Sequence, residues 1–514
     1  MMMDFMEDNL VQMTADLAIR IDGRKEFASL CGRLMQKCSE GSVCLPLTQE
    51  ECDIARQSSV VGNEGLFVLD ENRFYTRRNW LYEQTVRNRI LAMASTPPLE
   101  SIPIPDDGMF ALLNPAQKQA IQMMCERQIC LLTGGPGTGK TFTIARAVKL
   151  IQECHPELPL RIVAPTAKAA MRVQEAMLAE SRALEMTNII ESSTIHKLIG
   201  ANSNFTSFKH NHDNPLHLGW LIVDESSMID LPLMVKLLDA LPETCRITLV
   251  GDPNQLASVE PGRLFGDLCN LPQIPQCRLT ESKRFPKGGE IYQISEAINA
   301  QDSQTALQLL KSPNNQLIHY MEINDIPSFR RQLKEKAGEL FGIFSRQTTP
   351  ETALAALHDC RILCPYRHGP FGTDSANEML RRQWEGIGPI PMMITKNNYS
   401  VGVSNGDVGV VLPDDTQHLW LPAASGTPLR IPLNLLPDIE LAFASSIHKA
   451  QGSEYENVII ILPPNEPPEM EHSLLTKEIL YTALTRTEKQ VFLYASDNAV
   501  VKCCHNVITR YSGL

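Results

Sequence analysis

"GGPGTGKT", Gly134 to Thr141, follows the apolar run "ICLLT" and precedes "FTIARAVKLI", which reads as a helix. A strand, a G-x-x-x-x-G-K-T loop and a helix start together turn backbone N–H groups toward phosphates, and the helix N-terminus adds partial positive charge. Gly134, Gly135, Pro136, Gly137, Thr138 and Gly139 form the cradle, Lys140 reaches the terminal phosphates, and Thr141 offers its hydroxyl to Mg²⁺. The alternative, a glycine turn without a nucleotide, is disfavoured by the strand and helix on either side.

Outward from this loop, short apolar runs alternate with amphipathic helical stretches. "RIVAP", "WLIVDE" and "RITLVGD" come next, and the pattern resumes at "CRILCPY", "MMITKNN", "LAFASS", "VIIILPP" and "QVFLYAS". Alternation of this kind builds parallel sheets flanked by helices, so the expected class is α/β with two such domains. The second is interrupted from "NGDVGVVL" to "LRIPLNLL", a Gly-, Asp- and Pro-punctuated stretch that reads as a small β insertion. Ahead of the loop, "GSVCLPL" reads as a strand, and the helical patterns at Glu26 to Met35 and "NWLYEQTVRNRILAMA" make a small α-rich module. "STPPLESIPIPDDG" reads as a semi-rigid linker after it.

Composition narrows the function classes. A chain of 514 residues accommodates about three or four units, and 43% hydrophobic with 21% charged residues excludes a disordered or fibrous polymer. There is no run of roughly 20 apolar residues, and "MMMDFMEDNL" is acidic where a secretory signal is basic, so a cytoplasmic location and no membrane partner are expected. A net charge of -12 argues against a nonspecific nucleic-acid coat but leaves room for a basic channel. Cys31, Cys38, Cys44 and Cys52 lack the paired spacing of a zinc knuckle and read as free buried thiols.

"LIVDESSM" ends an apolar strand in Asp224 and Glu225, which can place one carboxylate on Mg²⁺ and the next beside an attacking water. Alone, an acidic strand end also reads as a solvated terminus, but lying downstream of a phosphate loop tips it toward chemistry. "LVGDPNQLASVEPG" puts Gln255 where it can sense a γ-phosphate, although "GDPN" is also a plain turn signal. Phosphoryl transfer further calls for a cation from a neighbouring domain. Arg284 in "LTESKRF" and Arg486 in "LYTALTRTEK" are candidates, and spacing alone does not separate them from surface arginines.

The ordered set "LNPAQKQAI", "GGPGTGKT", "APTAKAA", "TIHKLIG", "LIVDESSMIDLPLM", "VGDPNQLASVEPG", "ESKRF", "SIHKAQGSEYENV" and "LYTALTRT" resembles the motif series of superfamily 1 DNA helicases. Within them it is most similar to the RecD family, the α subunits of exodeoxyribonuclease V, and "GPFGTDSANEML" and "NNYSVGVSNGDVGVV" share that likeness. The resemblance runs from about residue 109 to the C-terminus and extends more weakly into "EGSVCLPL" and "FYTRRNWLYEQ". Departures from the family pattern at Lys477, Asn398 and Ala450 avoid the phosphate-contacting positions.

The resemblance implies two RecA-like P-loop domains, residues 106–275 and residues 276–396 with 441–514, with ATP and Mg²⁺ in the cleft between them. Residues 1–105 would be a partner-docking domain, 200–218 a short pin-like insertion, and 397–440 a Src-homology-3-like β-barrel. Gln117 would read the adenine, Arg284 and Arg486 the γ-phosphate, and Gly452 and Glu454 would face the nucleotide, Glu454 at the ribose. Pro165, Thr166, Lys168, Thr194, His196, His448 and Lys449 would face DNA.

The implied activity is ATP-dependent 5′-to-3′ translocation on single-stranded DNA from double-stranded ends, beside RecB-like and RecC-like subunits, in double-strand break repair and homologous recombination. No carboxylate–lysine cluster reads as a nuclease site. Two other readings remain open at this stage, a stand-alone helicase and an ATP-gated DNA clamp that does not translocate. The roughly 105 residues before the linker are fewer than in free-standing relatives, which favours the subunit.

Overall fold

In the computed structural model, which describes residues 13–514 apart from 15, 17, 21, 100, 107, 185, 187–189, 202–206, 259, 283, 399–400, 424–425, 437 and 467–472, the alternating runs become parallel sheets flanked by helices. The N-terminal module comes first, with helices Lys25–Ser39 and Gln49–Arg56 and a small antiparallel sheet. Its strands β1 (Leu45–Pro46), β2 (Phe67–Asp70) and β3 (Arg73–Thr76) lie in the order β1-β3-β2. A third helix, Arg77–Ser95, begins at Thr76, whose hydroxyl accepts the Asn79 N–H. Such a cap satisfies one of the orphan donors at a helix start.

Residues 129–279 supply six parallel strands: β4 (Ile129–Gly134), β5 (Leu160–Ala164), β6 (Ser192–Thr194), β7 (Trp220–Val223), β8 (Arg246–Gly251) and β9 (Gln276–Leu279). They lie in the order β6-β5-β7-β8-β4-β9, which sets the glycine-loop strand β4 beside β8 and β9. Ile129 and Leu131 enter the core on one face of β4, and Cys130 and Leu132 enter the core on the other. Burial on both faces is why this run is apolar throughout rather than alternating.

The second parallel sheet combines β10 (Ile318–Glu322), β11 (Cys360–Cys364), β17 (Ala444–Ser446), β18 (Tyr455–Ile461) and β19 (Thr487–Ala495), in the order β10-β19-β18-β11-β17. Between β11 and β17 the chain builds an antiparallel sheet from β12 (Ile390–Ile394), β13 (Val408–Leu412), β14 (Asp415–Leu421), β15 (Leu429–Pro432) and β16 (Ile439–Leu441), ordered β15-β14-β13-β12-β16. Among the described residues no ladder joins β15 to β16, so the pairing is that of a five-stranded sheet.

The structure moves two boundaries. β9 pairs in parallel with β4, so Gln276–Leu279 extends the first sheet past the expected division at 275/276. "MMITKNN", read as a strand of the second parallel sheet, instead contributes to β12, which pairs antiparallel with β13 and β16 and carries the insertion back to residue 390. Periodicity cannot tell a parallel core strand from the first strand of an antiparallel insertion when both are short and apolar. Of the pin-like segment, 202–206 lie outside the described residues, and the flanks form the bridges Ala201–Phe208 and Asn211–Asn214.

The N-terminal module is joined to the first sheet rather than standing apart. Val86, Ile90 and Met93 form a helical stripe buried in one core with Leu231, Leu238 and Ile247. The C-terminal segment reinforces the junction. The Val43 N–H donates to the Tyr511 carbonyl at 2.8 Å, and the Gly513 N–H donates to the buried Glu83 carboxylate at 2.8 Å. Arg510 Nη1 donates to the carbonyls of Ser258, Glu260 and Gly262 at 2.6, 3.3 and 3.0 Å, so the tail ties the second sheet to the loop after β8.

Among the described residues no helix is long and apolar enough to cross a membrane, and no group of three or more His, Cys, Asp or Glu could hold a metal. The cysteines are free; burial pushes the Cys31 and Cys44 thiols up to about 12, which makes them inert core residues.

Candidate nucleotide and nucleic-acid site

The glycine loop leaves β4 and enters the helix Lys140–Cys154 with Gly137 at φ +72° and Gly139 at φ +81°, left-handed conformations that favour glycine. Both glycines are also approached closely. A Cβ on Gly137 would lie 2.5 Å from the Arg284 Cβ, and one on Gly139 would lie 2.9 Å from the Gln117 Nε2. Lys140 Nζ donates to the carbonyls of Gly134 and Gly135 at 2.8 and 3.1 Å, folded back over the loop it would leave for a phosphate.

Pro136 to Thr141, Asp224, Glu225, Gln255, Arg284, Gly452, Glu454 and Arg486 all line one cavity of about 240 Å³. Three candidates lie outside that lining. Gly134 and Gly135 border a second cavity behind the loop. Gln117 is buried against Gly139, and its Oε1 accepts the Asn114 N–H in a helix-capping box.

Asp224 and Glu225 follow β7 directly. The Glu225 N–H donates to Asp224 Oδ1 at 2.9 Å, and Glu225 itself sits at φ +50°, an unusual conformation for a non-glycine residue that aims it into the cavity. Burial, then the neighbouring Glu225 charge, raises the Asp224 carboxyl to about 6. A buried Asp224 beside the half-buried Glu225, in the cavity that Thr141 also lines, is an oxygen donor set that suits a hard divalent cation such as Mg²⁺.

Gln255 is buried, with Nε2 3.3 Å from Asp252 Oδ2. The segment around it is held from the second domain. The Leu256 N–H donates to Thr482 Oγ1 at 3.1 Å, Gln451 Nε2 donates to the Leu256 carbonyl at 2.7 Å, and the Tyr481 hydroxyl donates to Asp252 at 2.8 Å. Gln451, within the motif "SIHKAQGSEYENV", therefore contacts the first domain's loop after β8.

Arg486 is fully buried; its Nε donates to the Thr482 carbonyl at 3.2 Å and its Nη1 to the Ser453 carbonyl at 3.2 Å. Arg284 pairs with Glu454 through Nη2, and its buried Nη1 has no partner among the described residues. A third arginine, Arg172 on the first domain's helix Ala167–Ala183, pairs with the same Glu454 oxygen. Sequence reasoning missed it. The only available signal was a cation one helical turn beyond Lys168 in a motif assigned to DNA. Burial alone would push the Glu454 carboxyl up, but the Arg172 and Arg284 charges outweigh it and hold it at about 2.

The DNA candidates lie at or just beyond the C-terminal ends of β5, β6 and β17. Pro165 and Thr166 follow β5, and Thr194 ends the adjacent β6, paired with Ala164. The Thr166 and Thr194 hydroxyls cap the next helices, accepting the Ala169 and Lys197 N–H at 3.2 and 3.1 Å. His196 is half-buried, and burial lowers its imidazole. His448 and Lys449 follow β17; burial, then the Arg510 charge, drives the His448 imidazole down to about 4. Lys449 shares a cavity of about 400 Å³ with Arg367, a cation the motifs did not single out.

Lys168 Nζ stands 3.5 Å from the Tyr455 hydroxyl, across the cleft. Burial alone would raise that hydroxyl, but the Arg361 and Lys168 charges pull it down to about 7.

Residues 117–261 match the AAA domain family, and residues 441–494 match the UvrD-like helicase C-terminal domain family. The RecBCD enzyme subunit RecD of Mycolicibacterium smegmatis is 32% identical over 485 residues, covering 89% of this chain and 84% of that protein. The RecBCD enzyme subunit RecD of Haemophilus influenzae is 30% identical over 471 residues, covering 77% of this chain and 71% of its own. The ATP-dependent RecD2 DNA helicase of Deinococcus radiodurans is 28% identical, with 84% of this chain matching 56% of that one. Among solved structures, Bacteroides Pif1 bound to single-stranded DNA aligns at 17% identity with a TM-score of 0.41, covering 74% of this chain and 92% of that one.

Proposed function

This chain belongs to the family of RecD subunits of the RecBCD enzyme, and from that premise we propose that it is an ATP-driven 5′-to-3′ translocase on single-stranded DNA, working beside RecB-like and RecC-like subunits at double-stranded DNA ends. The observation that carries this reading is the composition of one cavity. Lys140, Asp224, Glu225 and Gln255 enter from the first domain, and Arg284 and Arg486 enter from the second. Charge developing on a transferred phosphoryl group is then stabilised only while the two domains are together.

Lys140 leaves the Gly134 and Gly135 carbonyls for the β- and γ-phosphates, and Arg284 brings its unpartnered Nη1 to the same anion. Thr141 and Asp224 would hold Mg²⁺, which would neutralise phosphate charge when bound. Glu225 orients and deprotonates the attacking water, and Gln255 reports the γ-phosphate to the second domain through the Leu256–Thr482 and Gln451–Leu256 hydrogen bonds. Hydrolysis removes the shared anion, so the domains separate. Their alternating grip on DNA by Thr166, Lys168, Thr194 and Lys449 becomes stepping. The N-terminal module, packed on the first domain, offers its outer face to the partner subunits.

The test is ATP hydrolysis with and without single-stranded DNA, and strand polarity on tailed duplexes, for the wild type and Lys140→Gln, with and without the partner subunits. DNA should stimulate hydrolysis at least about tenfold in the wild type, Lys140→Gln should abolish it, and unwinding should require a 5′ tail. No stimulation would favour an ATP-gated clamp, and a requirement for a 3′ tail would overturn the polarity.

A further inference from the structure

The helix Ala167–Ala183 presents two cations one turn apart, Lys168 and Arg172, to two adjacent residues of the second domain, Tyr455 and Glu454. Residues four apart on a helix share a face. Between them, Ala169 lies against Gly452, where an added Cβ would come within 3.3 Å. The helix therefore meets the second domain through a small-residue contact flanked by two polar pairs. Its N-terminal end carries Thr166, a DNA candidate, while Arg172 lines the nucleotide cavity.

Arg172 and Arg284 both bind Glu454 Oε2, one from each domain, so the carboxylate bridges the cleft. Glu454 is itself an anion standing among the cations that a triphosphate requires. Four cations of the cavity, Lys140, Arg172, Arg284 and Arg486, face three carboxylates, Asp224, Glu225 and Glu454. An entering polyphosphate must therefore compete with Glu454 for Arg172 and Arg284. A ligand shifts such an equilibrium by its differential affinity for the two arrangements, and the coupling is reciprocal.

We infer that Arg172 is a positioning residue: with Glu454 and Arg284 it forms a cross-cleft clasp that the phosphates of a nucleoside triphosphate displace, and through its helix it couples nucleotide occupancy to the grip on DNA. This rests on the translocase reading for its DNA arm, but the clasp can be tested without DNA. Because the clasp holds the arginines on an internal anion, Glu454 opposes nucleotide entry, and Arg172, released by the phosphates, transmits occupancy to the helix.

The experiment measures the affinity of the full chain for a fluorescent, non-hydrolysable ATP analogue in wild type, Arg172→Ala, Glu454→Gln and the double variant, each with and without oligo-dT. Without DNA, the two single changes should be non-additive, the double variant matching Glu454→Gln within about twofold, because Arg172 acts through Glu454. With DNA, wild-type affinity should change by about 5- to 150-fold, the usual range of a coupling between sites. Arg172→Ala should reduce that change to less than about twofold, and Arg172→Lys, which keeps the charge, should restore part of it.

Additive effects, or full DNA coupling in a folded Arg172→Ala, would overturn the clasp. If Arg172→Ala fails to fold by circular dichroism, Arg172→Lys and Glu454→Gln carry the same comparison. A wild type that binds the analogue but ignores DNA refutes the translocase reading instead, and the DNA-free cycle still decides the clasp.

Discussion

Gly137→Ala tests whether the domain-spanning contact at the glycine loop sets the rate. Gly137 sits at φ +72°, and a Cβ there would lie 2.5 Å from the Arg284 Cβ and 2.8 Å from the Ser282 Oγ. The left-handed conformation alone costs a non-glycine residue about 1–2 kcal/mol. Relieving the overlap requires the segment Ser282 to Phe285 to retreat by about 1 Å, because ordinary carbon contacts lie near 3.5–4 Å. That retreat breaks the hydrogen bond from the Ser282 hydroxyl to the Pro136 carbonyl, 3.0 Å in the structure, and withdraws Arg284 from the phosphates. A misplacement of about 1 Å costs on the order of 100-fold in rate, or about 2.7 kcal/mol of transition-state stabilisation.

Lys140 and Thr141 keep their positions on the far side of the loop, so nucleotide affinity should change less than about fivefold, within about 1 kcal/mol. Steady-state ATP hydrolysis at saturating DNA gives kcat, and a fluorescent ATP analogue gives the affinity. Arg284→Ala should give a similar loss, and the double variant should be no more than about threefold slower than Arg284→Ala alone, because Gly137 acts through Arg284. A folded Gly137→Ala with kcat within about threefold of wild type would refute the reasoning.

Three further outcomes follow from other parts of the structure. Glu225→Gln should bind nucleotide normally while hydrolysis falls by about 10²- to 10⁴-fold, and near-normal turnover would remove Glu225 from the role of base. At the junction of the tail, a Cβ on Gly41 (φ +88°) would lie 2.5 Å from the Arg510 guanidinium carbon. Gly41→Ala and Arg510→Ala should each free the tail and speed hydrogen exchange at the Val43 and Cys44 amides, which donate to the Tyr511 carbonyl, by about 10- to 100-fold. Unchanged protection would mean the tail is held elsewhere.

Asp267, whose carboxylate accepts the Ser512 hydroxyl, is raised to about 6 by burial, against the opposing pull of Ser512 and of the Arg263 and Arg510 charges. Its folded value lies above the unfolded one, so its contribution is fully present below about pH 4 and is lost as pH rises through about 6. Asp267→Asn should therefore stabilise the protein more at about pH 8 than at about pH 5, by at most about 3 kcal/mol, and thermal unfolding at the two pH values measures it. Equal effects at both would show that the carboxyl titrates normally.

How much could be read in advance varied with how local the cause was. The strands β4, β7 and β8 were legible because burial on both faces makes them continuously apolar, and each ends in a polar group suited to phosphate chemistry. β10 was not, because "LIHYME" mixes polar and apolar residues at a sheet edge, and only pairing with β19 makes it a strand. β12 was assigned to the wrong sheet because its partners, β13 and β16, are chosen by the turn that follows rather than by its own composition. The proline-rich stretch after Ser95 read as a semi-rigid linker, and nothing in it announced that the stripe Val86, Ile90 and Met93 is buried in the first sheet's core.

The sequence by itself determined the chemistry of each half of the cleft. A glycine loop, a lysine, a hydroxyl and a carboxylate pair at strand ends are local patterns whose roles follow from backbone geometry and charge. Tertiary structure decided which groups from the two halves meet. It placed Arg172, Arg284 and Glu454 together, turned Gln451 onto the Leu256 carbonyl, and set the half-buried His448 near the Arg510 charge. Those contacts join segments far apart in the chain, so no spacing encodes them. They exist because two separately folded sheets close on one another, and that closure sets which charges lose water and which find a partner.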